Sequence, residues 1–269
     1  MLRRIGPLSL IALLLMVLVP TLGLGSRARA AEPDCGNNPG DAARWAVGYG
    51  SSDTYPEFLG AQAVNRTRAG AVCKDKPYSW NYVEIIVRVS NWYRSRWVSA
   101  GHRVLGHTNQ RFIWANWRAA TSGGSMSAFG PATGVGGLHT YTVGWRDACQ
   151  CLVAKWDGGD LAETGINPYN WERPSRVDWI GSATYRRSDV PGSPSARSHF
   201  DQIKAQRQSD RVWIASPCGR AGFNDSRSKW ASVAAACDDA EVWTYNTCIS
   251  CAGPAAVARE LPIVGRKRR

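Results

Sequence analysis

Apolar residues recur at every second position in short runs along this chain, and Gly, Pro, Asn, Asp and Ser separate the runs. Successive side chains of a strand point to opposite faces, so such alternation marks strands with one face on a core. Residues 82–89 alternate most cleanly. Val83, Ile85, Val87 and Val89 share one face, and Tyr82, Glu84, Ile86 and Arg88 share the other. Further strands are predicted over 96–104, 110–117, 139–145, 151–156, 177–185, 211–215 and 242–245. Asp157-Gly158-Gly159-Asp160 supplies a turn after 151–156, and 188–194 is a Pro/Gly turn. The Gly- and Ser-rich stretch 121–137 reads as a loop, and 195–208 is the one predicted helix. Many short strands with regular turn signals predict a mainly β fold, an antiparallel β-sandwich with one short helix. The predicted domain covers 59–252. An irregular arm, 31–58, precedes it, and a basic tail, 253–269, expected to be disordered, follows.

The first 30 residues differ from the rest. Arg3 and Arg4 precede an apolar stretch, and Ala28-Arg29-Ala30 before Ala31 has the small-x-small spacing of a signal peptidase site. Residues 1–30 are therefore expected to be a cleaved export signal, which makes the protein secreted, extracellular or attached to the cell surface. No later segment approaches the 20 or so apolar residues of a membrane helix, so no span is expected after cleavage.

Export changes the reading of charge and cysteine. Loss of Arg3, Arg4, Arg27 and Arg29 lowers the net charge from +12 to +8. A basic exported chain is attracted to anionic surfaces such as cell-wall polymers. The eight cysteines are Cys35, Cys73, Cys149, Cys151, Cys218, Cys237, Cys248 and Cys251. An even number in an oxidising compartment predicts disulfides. Cys218 with Cys237 and Cys35 with Cys73 are the expected local pairs. On a strand, Cys149 and Cys151 would share a face and each reach another partner, with Cys248 and Cys251 as candidates. Four thiolates at those positions would alternatively suit zinc.

Candidate chemistry is sparse. No Gly-x-Ser-x-Gly elbow, His-Glu-x-x-His motif, phosphate loop or nucleotide fingerprint occurs, and no motif calls for a metal or cofactor. Of the four histidines, His102, His107, His139 and His199, the first two sit five apart near a strand end, a spacing with no defined metal geometry, and are assigned to the surface or a loop. Asp157 and Asp160 flank a Gly-Gly turn, where turn formation and calcium ligation both use Asp. Glu84 and Asp178 lie on strand faces, where two carboxylates could work as an acid/base pair across a cleft. The 13 Trp residues supply both core volume and possible sugar-stacking platforms. Trp97, Trp145, Trp156 and Trp179 are the aromatic binding candidates.

Several blocks carry a family resemblance. Leu59-Gly60-Ala61-Gln62-Ala63 is followed by Tyr82-Val83-Glu84-Ile85-Ile86 and Trp97-Val98-Ser99-Ala100-Gly101. His139-Thr140-Tyr141-Thr142-Val143-Gly144-Trp145 and Val177-Asp178-Trp179-Ile180-Gly181-Ser182 come later. In this order they resemble the eqolisin (glutamic peptidase) family and its concanavalin-like β-sandwich relatives. With Asp189-Val190-Pro191-Gly192 the chain also resembles secreted actinobacterial proteins. The resemblance implies a jelly-roll sandwich. It also implies that Ser99 and Ser182 occupy the positions of the family's catalytic Gln and Glu. A hydroxyl supplies neither group's chemistry near neutral pH, so the family's peptidase mechanism is not carried over.

Two functions follow. One is a non-catalytic extracellular module that binds glycan or an anionic cell-wall polymer through Trp97, Trp145, Trp156 and Trp179, with Ser99 and Ser182 in the same site. The other is a divergent secreted peptidase or glycosidase using Glu84 and Asp178. Basic and aromatic residues without a recognition motif, on an exported chain, argue against nucleic acid as a partner.

Overall fold

The computed structural model describes residues 42–51, 57–70, 72, 80–89, 96–105, 110–119, 124–171, 175–185, 188–215, 221–224, 230–233 and 238–244. The expected export signal, the basic tail, His107, Cys35, Cys73, Cys218, Cys237, Cys248 and Cys251 lie outside the described residues.

Among the described residues fifteen strands run in chain order: β1 (Ala42–Gly50), β2 (Phe58–Arg66), β3 (Trp80–Val89), β4 (Trp97–Leu105), β5 (Arg111–Arg118), β6 (Met126–Ala132), β7 (Leu138–Arg146), β8 (Cys151–Trp156), β9 (Gly159–Glu163), β10 (Ser175–Tyr185), β11 (Ser198–Arg207), β12 (Trp213–Ala215), β13 (Ala221–Asn224), β14 (Trp230–Val233) and β15 (Ala240–Thr244). They form two antiparallel sheets. Sheet A has the order β13-β1-β10-β3-β4-β5-β6, and sheet B has the order β14-β15-β11-β2-β7-β8-β9, with β12 paired to β11. The sheets pack face to face as a β-sandwich, the fold class that the alternation and the eqolisin resemblance both imply.

One core joins the sheets. Val83, Ile85, Val87, Ile113 and Trp179 from sheet A meet Phe58, Tyr141, Val143, Leu152, Phe200 and Ile203 from sheet B. Burying each such side chain stabilises the fold by about 1.5–3 kcal/mol. The β8–β9 hairpin closes through Asp157 (φ 47°) and Gly158 (φ 83°). Two positive φ values in a two-residue loop match the right-handed twist of the flanking strands.

Three expectations of secondary structure are corrected. Residues 195–208 are not a helix; 198–207 form the central strand β11. Its register slips between Asp201 and Lys204, where Gln202 has φ 51°. A bulge of this kind adds a residue, so Phe200 and Ile203, three apart, both face the core and imitate a helical period. The loop 121–137 contains edge strand β6, whose side chains are mostly exposed and therefore show no core alternation. The arm 31–58 contains β1, which pairs with β10 in the body of sheet A.

Cys149 and Cys151 do not seek separate partners; they are bonded to each other. Cys149 belongs to a turn, not a strand, and Gln150 at φ 48° curls the chain so that the two Cα atoms lie 5.2 Å apart. With both sulfurs in one disulfide, the four-thiolate zinc alternative is also removed.

Candidate functional site

The face of sheet A that points away from sheet B carries both candidate carboxylates. Register places its side chains in rows across the strands. One row runs Gly48, Ile180, Glu84, Gly101, Trp114. The row on one side is Ala46, Ser182, Tyr82, Arg103, Phe112, and on the other Gly50, Asp178, Ile86, Ser99, Asn116. A further row holds Arg176, Arg88, Trp97 and Arg118. Glu84, Ser99, Asp178 and Ser182 thus share one face, and all four are buried.

Small residues surround the carboxylates for steric reasons. A Cβ on Gly101 would lie 2.0 Å from the Val83 carbonyl oxygen and 2.7 Å from Glu84 Cα. A Cβ on Gly50 would lie 2.0 Å from Asp178 Oδ1. Larger groups rim this floor. Tyr82 stacks on Trp114 at 4.8 Å between centroids, and Arg103 lies over Trp114 at 5.3 Å and Phe129 at 4.4 Å.

The two carboxylates are held differently. Ser182 Oγ donates to Glu84 Oε1 at 3.0 Å. Arg88 instead engages both oxygens of Asp178, through Nε to Oδ2 and Nη2 to Oδ1. Asp178 is therefore committed to a buried ion pair, the kind of contact whose value depends on both partners being present. Arg103 sits in the row beside Glu84. Burial lowers its guanidinium to about 10, opposed by the nearby Tyr82 and Glu84 groups. It remains a cation near neutral pH.

The expected residues divide among distinct surroundings. Ser99 Oγ donates to the Asn116 carbonyl at 3.2 Å, and Trp97 Nε1 donates to Asn116 Oδ1 at 2.9 Å. Asn116 Nδ2 in turn donates to the Met126 carbonyl and to Ser127 Oγ. Trp97 packs on Ala46, Ile86 and Ile180 of the carboxylate face. Trp179 points the other way, fully buried between the sheets, where no surface ligand reaches it. Trp145 and Trp156 belong to sheet B. Trp145 Nε1 donates to Asp147 Oδ1, and its ring meets Tyr169 edge-on at 5.0 Å. A single four-tryptophan platform does not form.

Histidine placement also differs from expectation. His102 is buried between the sheets and not on the surface. His199 pairs with Asp239, and His139 with Asp157. Asp160 is engaged by Arg146 and Lys155.

Sequence reasoning missed Arg88's grip on Asp178 and the Tyr82–Trp114–Arg103 rim. Parity held the signal: Tyr82, Glu84 and Arg88 alternate on β3, as Trp97, Ser99, Gly101 and Arg103 do on β4. A second concavity was also missed. It is a cavity of about 360 Å³ on the outer face of sheet B, lined by Gln62, Thr142, Gly144, Trp145, Lys155 and Trp213 among others. A Cβ on Gly60 or Gly144 would lie 2.8 or 3.1 Å from the Trp213 ring, so the indole is seated on a glycine floor.

No family model matches the chain, and no curated protein matches it. Among solved structures it is similar to scytalido-glutamic peptidase with a transition state analog inhibitor, at 10% identity over 75% of this chain and 98% of that one, TM-score 0.49. It is also similar to SCP-B, a member of the Eqolisin family of peptidases, in a complex with the tripeptide Ala-Ile-His (10% identity, 75% and 98% covered, TM-score 0.45). A shorter likeness is to a glycoside hydrolase family 16 endo-glucanase from Bacteroides ovatus (11% identity, 52% and 66% covered, TM-score 0.35). At these identities the likenesses concern the fold alone and bring no residue's role with them.

Proposed function

We propose that this chain is a secreted hydrolase of peptide or glycan in which Glu84 is the proton-transfer carboxylate. The hydrogen bond from Ser182 Oγ to Glu84 Oε1 carries the reading. It fixes one carboxylate oxygen on a face that also holds the Arg103 cation. A water at Glu84 would lose its proton to the carboxylate as it attacks the substrate, with Arg103 offsetting the negative charge that develops. Asp178 takes no proton in this scheme, because Arg88 engages both its oxygens. The carboxylate pair expected from sequence thus becomes one working carboxylate and one structural ion pair.

The purified mature chain should be assayed on a denatured protein and on cell-wall polysaccharides. Glu84→Gln should lower turnover by about 10²–10⁴, the usual contribution of a general acid or base, with an unchanged unfolding midpoint. Parent-like turnover in a folded Glu84→Gln chain would sink the proposal.

A second reading, non-catalytic binding of a cell-wall glycan, is favoured by the sheet B cavity. Trp213 offers its ring there, and Gln62 and Thr142 offer polar groups. It differs in outcome: Trp213→Ala would release the protein from the polysaccharide, and Glu84→Gln would not.

A further inference from the structure

A second cluster lies away from the Glu84 face. His139 is near the start of β7, Asp157 opens the β8–β9 turn, and Thr133 follows β6 directly. Asp157 Oδ2 lies 2.8 Å from His139 Nδ1, and His139 Nε2 lies 3.0 Å from Thr133 Oγ1. Asp157 is itself fixed, since its Oδ1 accepts from Thr140 N at 2.7 Å and its N–H donates to the Thr140 carbonyl at 2.9 Å. Trp156 Nε1 also donates toward His139 Nδ1 at 3.0 Å, so Nδ1 meets a donor and an acceptor at once. A carboxylate only accepts, and its charge-assisted bond is the stronger of the two, so Nδ1 carries the proton. Nε2 is then the acceptor that faces the Thr133 hydroxyl. Carboxylate, imidazole and hydroxyl in this order are the parts of an activated nucleophile.

Three further observations point to a site and not merely a crosslink. A Cβ on Gly137 would lie 2.8 Å from His139 Nε2 and 3.1 Å from Thr133 Oγ1, so a side chain there would wedge between base and hydroxyl. Cβ atoms on Gly134 and Gly136 would meet nothing within 4 Å, which leaves open space beside Thr133. Val135 and Leu138 are 54% and 57% exposed, and both lie on the segment between Thr133 and His139. Exposed large apolar residues gathered on one segment mark a binding surface more often than chance.

We propose that Thr133, His139 and Asp157 form an acyl-transfer site for esters with an apolar acyl group. Thr133 Oγ bonds to the carbonyl carbon while its proton passes to His139 Nε2. The Gly134 N–H, next in the chain to the nucleophile, is the natural donor to the oxyanion. The ester C–O bond then breaks, and the leaving alcohol takes the proton from Nε2. Water attacks the acyl-threonine and gives its proton to Nε2. The acid departs, and Thr133 Oγ regains the proton. Asp157 orients the ring throughout.

The full chain should be treated with a fluorophosphonate probe, the labelled peptide identified by mass spectrometry, and p-nitrophenyl butyrate hydrolysis measured alongside. The label should fall on Thr133 and vanish in Thr133→Ala. Thr133→Ser should retain label and turnover. His139→Gln and Asp157→Asn should each cut both by a hundredfold or more. Asp210→Asn, an exposed position paired with Arg207 and outside both sites, should leave both unchanged. Label elsewhere, no label, or unchanged turnover in a folded Thr133→Ala chain would overturn the proposal and leave the trio as a crosslink between three segments.

Discussion

His102 shows how one residue can be decided by which way its strand turns. Its β4 neighbours Gly101 and Arg103 face the carboxylates, so His102 faces sheet B. There neither ring nitrogen has a hydrogen-bond partner among the described residues, and the Tyr141 ring lies 6.3 Å away. Burial pushes His102 from 6.5 down to about 3, and the Arg111 and His139 charges add to the shift. Between those two values the unfolded chain binds a proton that the folded chain excludes. This residue's penalty is therefore absent above about pH 6.5 and grows as pH falls toward 3. Its slope is up to about 1.4 kcal/mol per pH unit. Urea unfolding at pH 7, 5 and 4 should show the loss, and His102→Leu should flatten it relative to the parent. Equal slopes in the two proteins would count against this assignment.

At the scale of the element, β11 shows why a strand can read as a helix. The bulge at Gln202 restores the inward direction for Ile203 and Ala205 after Phe200. Deleting Gln202 removes the extra residue and turns one end of β11 onto the wrong face, since a one-residue slip exchanges the faces of a strand. The deletion variant is therefore expected to lose its cooperative thermal transition. Gln202→Gly keeps the residue count and suits the positive φ, so it should melt within a few degrees of the parent. A cooperative, parent-like melt for the deletion would refute the register. The same logic explains β6. An edge strand buries neither face fully, so Met126 and Phe129 are exposed and no alternation marks it. Strands β3, β4, β5, β7, β8 and β10 were legible because each lays a continuous apolar face on the core.

At the scale of the whole molecule, residues 1–30 precede the β-sandwich and lie outside the described residues. We propose that residues 1–30 are removed on export. Protein recovered from the medium of a secreting host should then begin at Ala31, and its intact mass will show this directly. Full-length protein retained in cells would contradict it. The site on sheet A also belongs to this scale. Glu84 and Ser182 are 98 residues apart, and they meet because β10 pairs with β3 in one register. Parity placed both on strand faces, but no periodicity says which strands are neighbours. Arg88 and Asp178 meet for the same reason, 90 residues apart. The Thr133–His139–Asp157 trio depends on two strand ends and a turn arriving together, and turn residues carry no period at all.

The amino-acid sequence by itself determined the β class, most of the central strands and the inward face of each, because alternation is a local consequence of the pleat. It also marked Glu84 and Asp178 as strand-face carboxylates. Only the tertiary structure decided that Arg88 takes Asp178, that Ser182 holds Glu84, that Trp179 is core, and that Cys149 bonds Cys151. Those outcomes depend on strand order, register and backbone twist. Such properties are settled by packing over the whole chain and leave no trace in any short window of it.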